Sequence, residues 1–407
     1  MRGACLCATI AVLTFGASVN AATVVVTVAN DLAAARPAAV IAVPFAQIAK
    51  LAPELRMYHV VVRDPKGRPL ASQVTNYQHD HRGASYDDLV FSYDFAAGEK
   101  RAEFTLEATA TATPPEAPCA YARTVPERFD DMAWQNDRIA HRMYGVALNS
   151  QVAAAAGERL RGSGIDVWGK RVGYPIVDRW YAKGHDQFHK DGEGEGLDLY
   201  SIGGSRGAGG TGYWDGSKLW TSDNFLSAQV LSNGPRRAAF KLTYAPWDAG
   251  SAGQVQESKQ FTIDCGRNFD MVESSFDFAD EVGVVGVGIT EHAPAEGFPK
   301  AVLTRDEQNR WMSLWEENKD GGLGVAVILA NGTSAEAYAF EPPAKTPGNA
   351  NHLLTFKARD GVPVRYFTGA GWNKSGQFTD RASWESYVKS FAAAVAKPLT
   401  ITVSSKP

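Results

Sequence analysis

The 407-residue chain is 44% apolar, 21% charged and 11% aromatic, and its formal net charge is −4. That composition excludes a disordered, collagen-like or coiled-coil chain. The lack of any strongly basic stretch argues against nucleic acid as a partner. Thirty-nine glycines and ten tryptophans suit twisted antiparallel sheets with many turns better than long helical bundles.

The first segment reads as an address. Arg2 precedes an apolar run from Ala4 to Ala17, and Val19, Asn20 and Ala21 are small or polar residues before a cleavage point. A signal peptide over residues 1–21, cleaved near Ala21, is expected. The run is too short for a typical ~20-residue span, so no membrane insertion is expected. Cys5 and Cys7 lie too early for lipid attachment. The mature protein is therefore expected to be bacterial and periplasmic or secreted. It keeps Cys119 and Cys265, which either form one disulfide in an oxidising compartment or stay as two buried thiols.

Residues 22–110 read as a small β-sandwich. Val24–Val28 opens a β-branched strand, Tyr58–Arg63 is a second, and Asp64-Pro65-Lys66-Gly67 turns it. Leu89–Phe95 and Glu103–Ala108 follow at short spacing. Residues 111–120, rich in Ala, Thr and Pro, read as a linker. Residues 121–407 read as one large antiparallel β domain, so the expected class is all-β. Gln135–Tyr144 alternates as a single strand that would place Trp134, Asn136, Arg142 and Tyr144 on one face. Further strands are expected at Leu226–Leu231, Arg237–Tyr244, Gln256–Ile263, Asp270–Phe278, Leu323–Ile328, Leu353–Phe356 and Leu399–Val403. Val152–Leu160 is a short helix or a loop. The single convincing late helix is Arg381–Ala396. Its apolar residues recur at helical spacing, Asp380 is an N-cap and Pro398 stops it.

Three motifs fail on context. Gly207–Gly212 has dinucleotide-binding spacing, but Tyr213-Trp214-Asp215-Gly216 continues it as a strand and turn rather than a helix. Gly203–Gly207 has the spacing of a nucleophile elbow without the strand-to-helix context. His185 and His189 have metal-ligand spacing, yet Gly184 and the glycines from Gly192 onward argue against a stable helix there.

Asp178–Tyr200 (DRWYAKGHDQFHKDGEGEGLDLY) is chemically dense. Glycine admits close approach of backbone or ligand, and loops carry function. The plainer reading is a solvated polar loop. Asp191, Glu193 and Glu195 with Gly196 resemble the front half of a calcium loop, but Ile202 stands where the closing acid belongs. In Arg123–Tyr144, Arg123, Arg128, Arg138 and Arg142 offer planar donors for a carboxylate or sulfate, and the plainer reading of each is a structural salt bridge. His292 follows a glycine-rich apolar strand beside Glu291.

The runs VPERFDDMAWQNDRIAHRMYG, SGIDVWGKRVGYPIVDRWY and HKDGEGEGLDLYSIGGSRGAGG resemble a family of secreted bacterial proteins, domain-of-unknown-function family 4861. The likeness continues through SKLWTSDNF, NGPRRAAFKLTYAPW and ESKQFTIDCGRNFD to SWESYVKSF, nearly the whole mature chain. It implies a galactose-mutarotase-like β-supersandwich and a neighbourhood of uronate-polysaccharide degradation. That fold hosts lyases, hydrolase accessory domains and epimerases, so it does not choose a reaction. Where the family commonly has Cys, this chain has Ala208, so no thiol is required there.

The expected function is elimination on uronate-containing oligosaccharides, by lyase or dehydratase chemistry. A base takes the C5 proton, a cation neutralises the carboxylate, and an acid protonates the oxygen leaving C4. His189 is the expected base, and Tyr200 or His292 the acid. Arg142 and Arg206 would hold the carboxylate, Trp134 and Tyr144 would stack on the sugar, and Asn136 would bond hydroxyls. No cofactor is required, with calcium near Asp191, Glu193 and Glu195 left open. The alternatives are an epimerase, a glycoside hydrolase using Glu193, Asp198 and Glu127, and a carbohydrate-binding protein without catalysis.

Overall fold

The computed structural model describes residues 23–79, 86–114, 116–333, 335–344 and 349–405. The expected signal peptide lies outside the described residues. The chain is built almost wholly of antiparallel strands. Among the described residues no helix is long and apolar enough to cross a membrane.

The front module is a sandwich. Val24–Ala29 buries every second residue, which is the mark of a strand with one face in a core. It pairs with Arg101–Ala108 on one side and with Thr400–Ser405 on the other. Facing this sheet is a three-stranded one made of Arg36–Pro44, Asp88–Phe95 and Ser72–Val74. Val24, Val26, Ile41, Phe91, Phe104 and Leu106 fill the space between. The expected domain boundary therefore needs a correction. The last strand, assigned from sequence to the large domain, closes the front sandwich, because its alternating Ile401 and Val403 pack on that core.

The back module is layered. A large sheet runs in the order Ser227–Ser232, Arg237–Thr243, Gln254–Asp264, Phe269–Asp277, Val364–Trp372, Gly321–Leu329, Trp311–Asn318, Val302–Asp306. Two five-stranded sheets share its inner core. One, the site sheet, runs Gly196–Tyr200, Asp166–Lys170, Ile139–Met143, Asp131–Gln135, Tyr121–Val125. The other runs Leu219–Trp220, Ala208–Trp214, Val282–Glu291, Ala350–Arg359, Ala335–Glu341. The helix Arg381–Ala396 has the expected Asp380 cap, whose side chain accepts from Ser383 N. It packs Trp384, Val388 and Ala392 onto the outer side of the large sheet, against Phe269 and Trp315. Gly207–Gly212 does run into the strand Ala208–Trp214.

Two modules this different in size meet at a braced seam. On the back-module side Cys119 and Cys265 are joined as a disulfide. Gln73 of the front sandwich accepts from Arg236 N and Arg237 N and donates to Ser232 Oγ and the Arg237 carbonyl. Gly234 leaves room for this clamp, since a Cβ there would fall 2.4 Å from the Gln73 amide carbon and push it aside. Arg237 then forks onto Asp264 at 2.7 and 3.0 Å.

Gln135–Tyr144 is not one strand but a hairpin. Asn136 Oδ1 accepts from Arg138 N (2.8 Å) and Ile139 N (3.1 Å), which turns the chain. The turn resets the parity. Trp134 now lies opposite His141, and Arg142 opposite Ala133.

Trp134 and His141 face the large sheet, where Trp134 Nε1 donates to Asp270 at 2.7 Å and His141 Nε2 lies 3.7 Å from the same carboxylate. Burial pushes the Asp270 carboxyl up to about 7 and the His141 imidazole down to about 4.

Two outcomes are expected. Ending the chain at Lys397 removes the partner of Val24–Ala29 and leaves a β-branched edge open. A lower melting temperature and concentration-dependent light scattering should follow. For Asp270, the folded state binds the proton more tightly than the unfolded chain. Stability from this group is therefore present below about pH 4 and is lost as pH rises to about 7. Asp270→Asn abolishes that loss, so the variant should gain on the wild type between pH 5 and pH 8 by on the order of 3 kcal/mol in urea unfolding.

Candidate functional site

The outer face of the site sheet is unusual for a β-sandwich surface, because it is charged and covered. Asp131, Arg142, Asp166 and Asp198 all lie on it and are all buried. The cover is a short helical segment, Val177–Ala182 followed by His185–Phe188. The second of these was not expected from its flanking glycines; it is a single turn, ending on His189 as its C-cap. The cover is held by aromatic contact. Trp168 of the sheet stacks on Trp180 at 5.4 Å and on Phe188 at 5.0 Å, and Tyr181 closes the group. Such pairs contribute about 0.5–1.5 kcal/mol each beyond their area.

Beneath this stack, Arg142 Nε donates to Asp131 at 2.7 Å, and Asp131 also accepts from Gly145 N. Burial opposes the Arg142 charge, but Asp131 outweighs it and the guanidinium is held charged. Asp166 is opposite Arg142 in the ladder. Burial, and then the charge of Asp198, push the Asp166 carboxyl well above the usual carboxylate range. Burial likewise raises Asp198, offset in part by His189 and Arg142. One guanidinium cannot balance three carboxylates out of water, and burial pushes all three toward the neutral form, Asp166 most strongly.

His189 is the part of this group that reaches solvent. Its Nδ1 lies 3.4 Å from Asp198 Oδ2, and its side chain is 43% exposed while that of Asp198 is 4% exposed. The adjoining loop is pinned. Glu195 accepts from Tyr174, Trp180, Arg179 and Lys183. Its burial works against ionisation, but these four donors pull its carboxyl down to about 2. Gly196 starts the last strand because a Cβ there would sit 2.0 Å from the Gly169 carbonyl oxygen.

The other sequence-derived site residues fall elsewhere. Trp134 is 0% exposed, packed between Phe240 and Phe261, so it cannot be a sugar platform. Tyr144 is buried with the Arg142 guanidinium over its ring, which removes it as a platform too. Asn136 spends its side chain on the hairpin turn and on the carbonyls of Asp264 and Arg267. Arg142 is buried beneath the cover and donates Nε to Asp131, while its Nη2 finds no partner among the described residues. Arg206 is buried and spends its donors on Ser163 Oγ and the carbonyls of Thr211 and Gly204. It backs a separate cavity of about 560 Å³ lined by Gly203, Gly204, Glu341 and Asn351. Tyr200 is buried and donates to the Thr290 carbonyl at 3.0 Å. His292 bonds Glu316 through Nδ1 (2.8 Å) and the Ser201 carbonyl through Nε2 (2.6 Å). Burial alone would lower its pKa, but Glu316 outweighs that and raises it. Both its protons are thus held in a clamp, and neither Tyr200 nor His292 has the freedom of a general acid.

The calcium expectation meets a different arrangement. Asp191 pairs with Arg171, Glu193 with Lys183, and Glu195 with the four donors above. Among the described residues these three carboxylates do not converge on one point.

Sequence reasoning missed Asp131, Asp166, Trp168 and Tyr181. Asp166 and Trp168 carried a signal, an acid and an aromatic two apart in a strand, but nothing local says that both point into a covered face.

The family described as "Domain of unknown function (DUF4861)" matches residues 28–401. A protein of Formosa agariphila described as "Uncharacterized protein P7" is 34% identical over 287 residues, 70% of this chain and 69% of that protein. Among solved structures, the chain is similar to an alpha-mannosidase from Enterococcus faecalis V583, with 10% identity and a TM-score of 0.47, over 94% of this chain and 46% of that one. It is also similar to a glycosyl hydrolase family 38 protein from Enterococcus faecalis, with 9% identity and a TM-score of 0.48, over 94% and 47%. The chain spans less than half the length of either structure. With the family match running through both modules, the chain belongs to the DUF4861 family.

Proposed function

We propose that this protein is a carbohydrate-active enzyme that eliminates across C4–C5 of a uronate residue, with His189 as the group that moves the proton. The observation that carries this reading is the His189–Asp198 pair: an imidazole that is partly exposed, yet oriented from behind by a buried carboxylate. That is the arrangement of a general base with its orienting acid.

The substrate class follows from acidity. Imidazole is a weak base for a sugar C–H bond. The C5 proton of a uronate is the favourable exception, since the charge left behind spreads into the adjacent carboxylate once a cation neutralises it. In this reading the cations are Arg179 and Lys183 of the cover, both partly exposed. His189 takes the C5 proton, the C4=C5 bond forms, and the C4–O bond breaks. With Tyr200 and His292 committed to backbone carbonyls and Glu316, His189 also returns the proton to the leaving oxygen. Asp198 stabilises the imidazolium between the two transfers. Asp166, pushed by burial toward its neutral form, limits the negative charge beside Asp198.

The hydrolytic alternative needs two reachable carboxylates. Of those the sequence suggested, Glu127 pairs with Arg123, Glu193 pairs with Lys183, and Asp198 lies beneath His189. The resting geometry therefore favours proton transfer at His189.

The test uses the full chain with oligogalacturonate, alginate and ulvan oligosaccharides, read by product mass and by the absorbance of the unsaturated uronate. Wild type should give a product lighter by water, or fragments without added water. His189→Ala should lose about 10²–10⁴-fold in kcat/KM with its melting temperature retained, and Asp198→Asn should lose kcat more than KM. Products that carry added water, or full activity in a folded His189→Ala variant, would overturn the reading.

A further inference from the structure

A second set of proton-handling side chains lies on the other five-stranded sheet, and the His189 chemistry does not use it. Ala335–Glu341 is the outer strand of that sheet, and its pairing with Ala350–Arg359 sets Phe340 opposite His352. Val282–Glu291 flanks His352 on the other side and ends on Glu291. There the Glu291 carboxylate bonds His352 Nε2, and the Tyr338 hydroxyl lies 2.5 Å from His352 Nδ1.

The donors can be ordered without knowing hydrogen positions. An ionised carboxylate only accepts, so Nε2 carries a proton. In the neutral ring Nδ1 then offers its lone pair to the phenolic O–H. The sequence hydroxyl, imidazole, carboxylate is the one in which an imidazole removes a hydroxyl proton on demand. Burial raises the Tyr338 pKa, so the phenol stays protonated at rest. His352 is 8% exposed and Glu291 33%, so the imidazole is buried and its carboxylate partner stands at the edge of the solvent. Its surroundings are open: Phe340 is 46% exposed beside the imidazole. The Arg305 guanidinium sits 4.3 Å from the Tyr338 ring centroid on a side chain that is 45% exposed.

We propose that Tyr338, His352 and Glu291 form a second proton-transfer site, which takes a carboxylated sugar ring. Phe340 covers the ring face, Arg305 receives the carboxylate, and the Tyr338 oxygen exchanges the proton with the ligand. The sugar assignment rests on the substrate class proposed above; the activated phenol stands apart from it.

An aryl sulfonyl fluoride reads the phenol directly. The Tyr338 oxygen bonds to sulfur, the S–F bond breaks, fluoride leaves, and the phenolic proton passes to His352 Nδ1. In the full chain, with peptides mapped by mass, Tyr338 should label at least ten-fold faster than Tyr58, which is more exposed at 52%. Glu291→Gln and His352→Ala should each bring Tyr338 down to the Tyr58 rate. The Gln variant keeps the imidazole in place if the Ala variant fails to fold. Oligogalacturonate should slow labelling of Tyr338 and leave Tyr58 unaffected, and His189→Ala should label as wild type does. Equal rates at Tyr338 and Tyr58 in wild type would overturn the relay, whatever the His189 variant does to turnover. Fast labelling that oligogalacturonate does not slow would overturn the sugar assignment.

Discussion

The charge balance around Arg142 is the constraint on which the candidate site depends. Moving a carboxylate out of water is costly, and the usual responses are pairing or neutralisation. Both occur on this face. Asp131 pairs with the guanidinium and takes a backbone N–H. Burial pushes Asp166 toward its neutral form. Asp198 is left with His189, the one partner in the group that also meets solvent. The cover of helix and aromatic rings makes these consequences unavoidable, because it removes the water that would otherwise screen the charges. Structural neutrality and a poised imidazole thus follow from the same burial. Replacing Arg142 by an apolar residue would leave Asp131 as an unpaired buried charge, which typically costs about 3–5 kcal/mol. The cluster would fail as structure before it failed as chemistry.

The front sandwich has a comparable dependence of its own. Its first strand is held by the last strand of the chain, so the large module is threaded between two halves of the small one. The Gln73 clamp and the Arg237–Asp88 ion pair join the two modules, and the Arg237–Asp264 fork and the Cys119–Cys265 bond brace the back-module side of that seam. A loop closed over 146 residues contributes on the order of 5 kcal/mol in the chain-entropy account. Alternating burial along Val24–Ala29 could be read from sequence; its partner strand could not, because pairing over such a separation leaves no local trace.

The same division runs through the site. The helix Arg381–Ala396 was legible to the residue, since a cap, a 3.6-residue apolar period and a following proline all act locally. The loop around His189 was legible as dense chemistry, since glycines, imidazoles and acids crowd one short run. Face assignments were not. Reading Gln135–Tyr144 as one strand put Trp134 beside Arg142, and a three-residue turn at Asn136 reversed that, because a shift of one in a period of two exchanges the faces. The roles given to Trp134, Tyr144, Tyr200 and Arg206 failed for a related reason. Residue type suggests what a side chain can do, while burial and partners decide whether it is free to do it.

Freedom combined with fixation separates the groups that remain from those that do not. Arg142 and Arg206 are fixed but covered. Lys183 and Arg179 are reachable, and in the proposed reading they share their charge between Glu193, Glu195 and the substrate carboxylate. His292 is fixed at both nitrogens, so a proton it gives up breaks a structural contact. His189 and Tyr338 are each partly exposed and each held from behind, the first by Asp198 and the second through His352 by Glu291. In both cases a carboxylate, buried at Asp198 and one-third exposed at Glu291, sets the tautomer and orientation of the imidazole. A sheet supplies this arrangement readily, because adjacent strands bring side chains on one face within about 5 Å of each other while the strand ends open to solvent. Asp198, in the middle of Gly196–Tyr200, meets solvent through the helix that ends on His189, and Glu291 reaches it from the last position of its own strand.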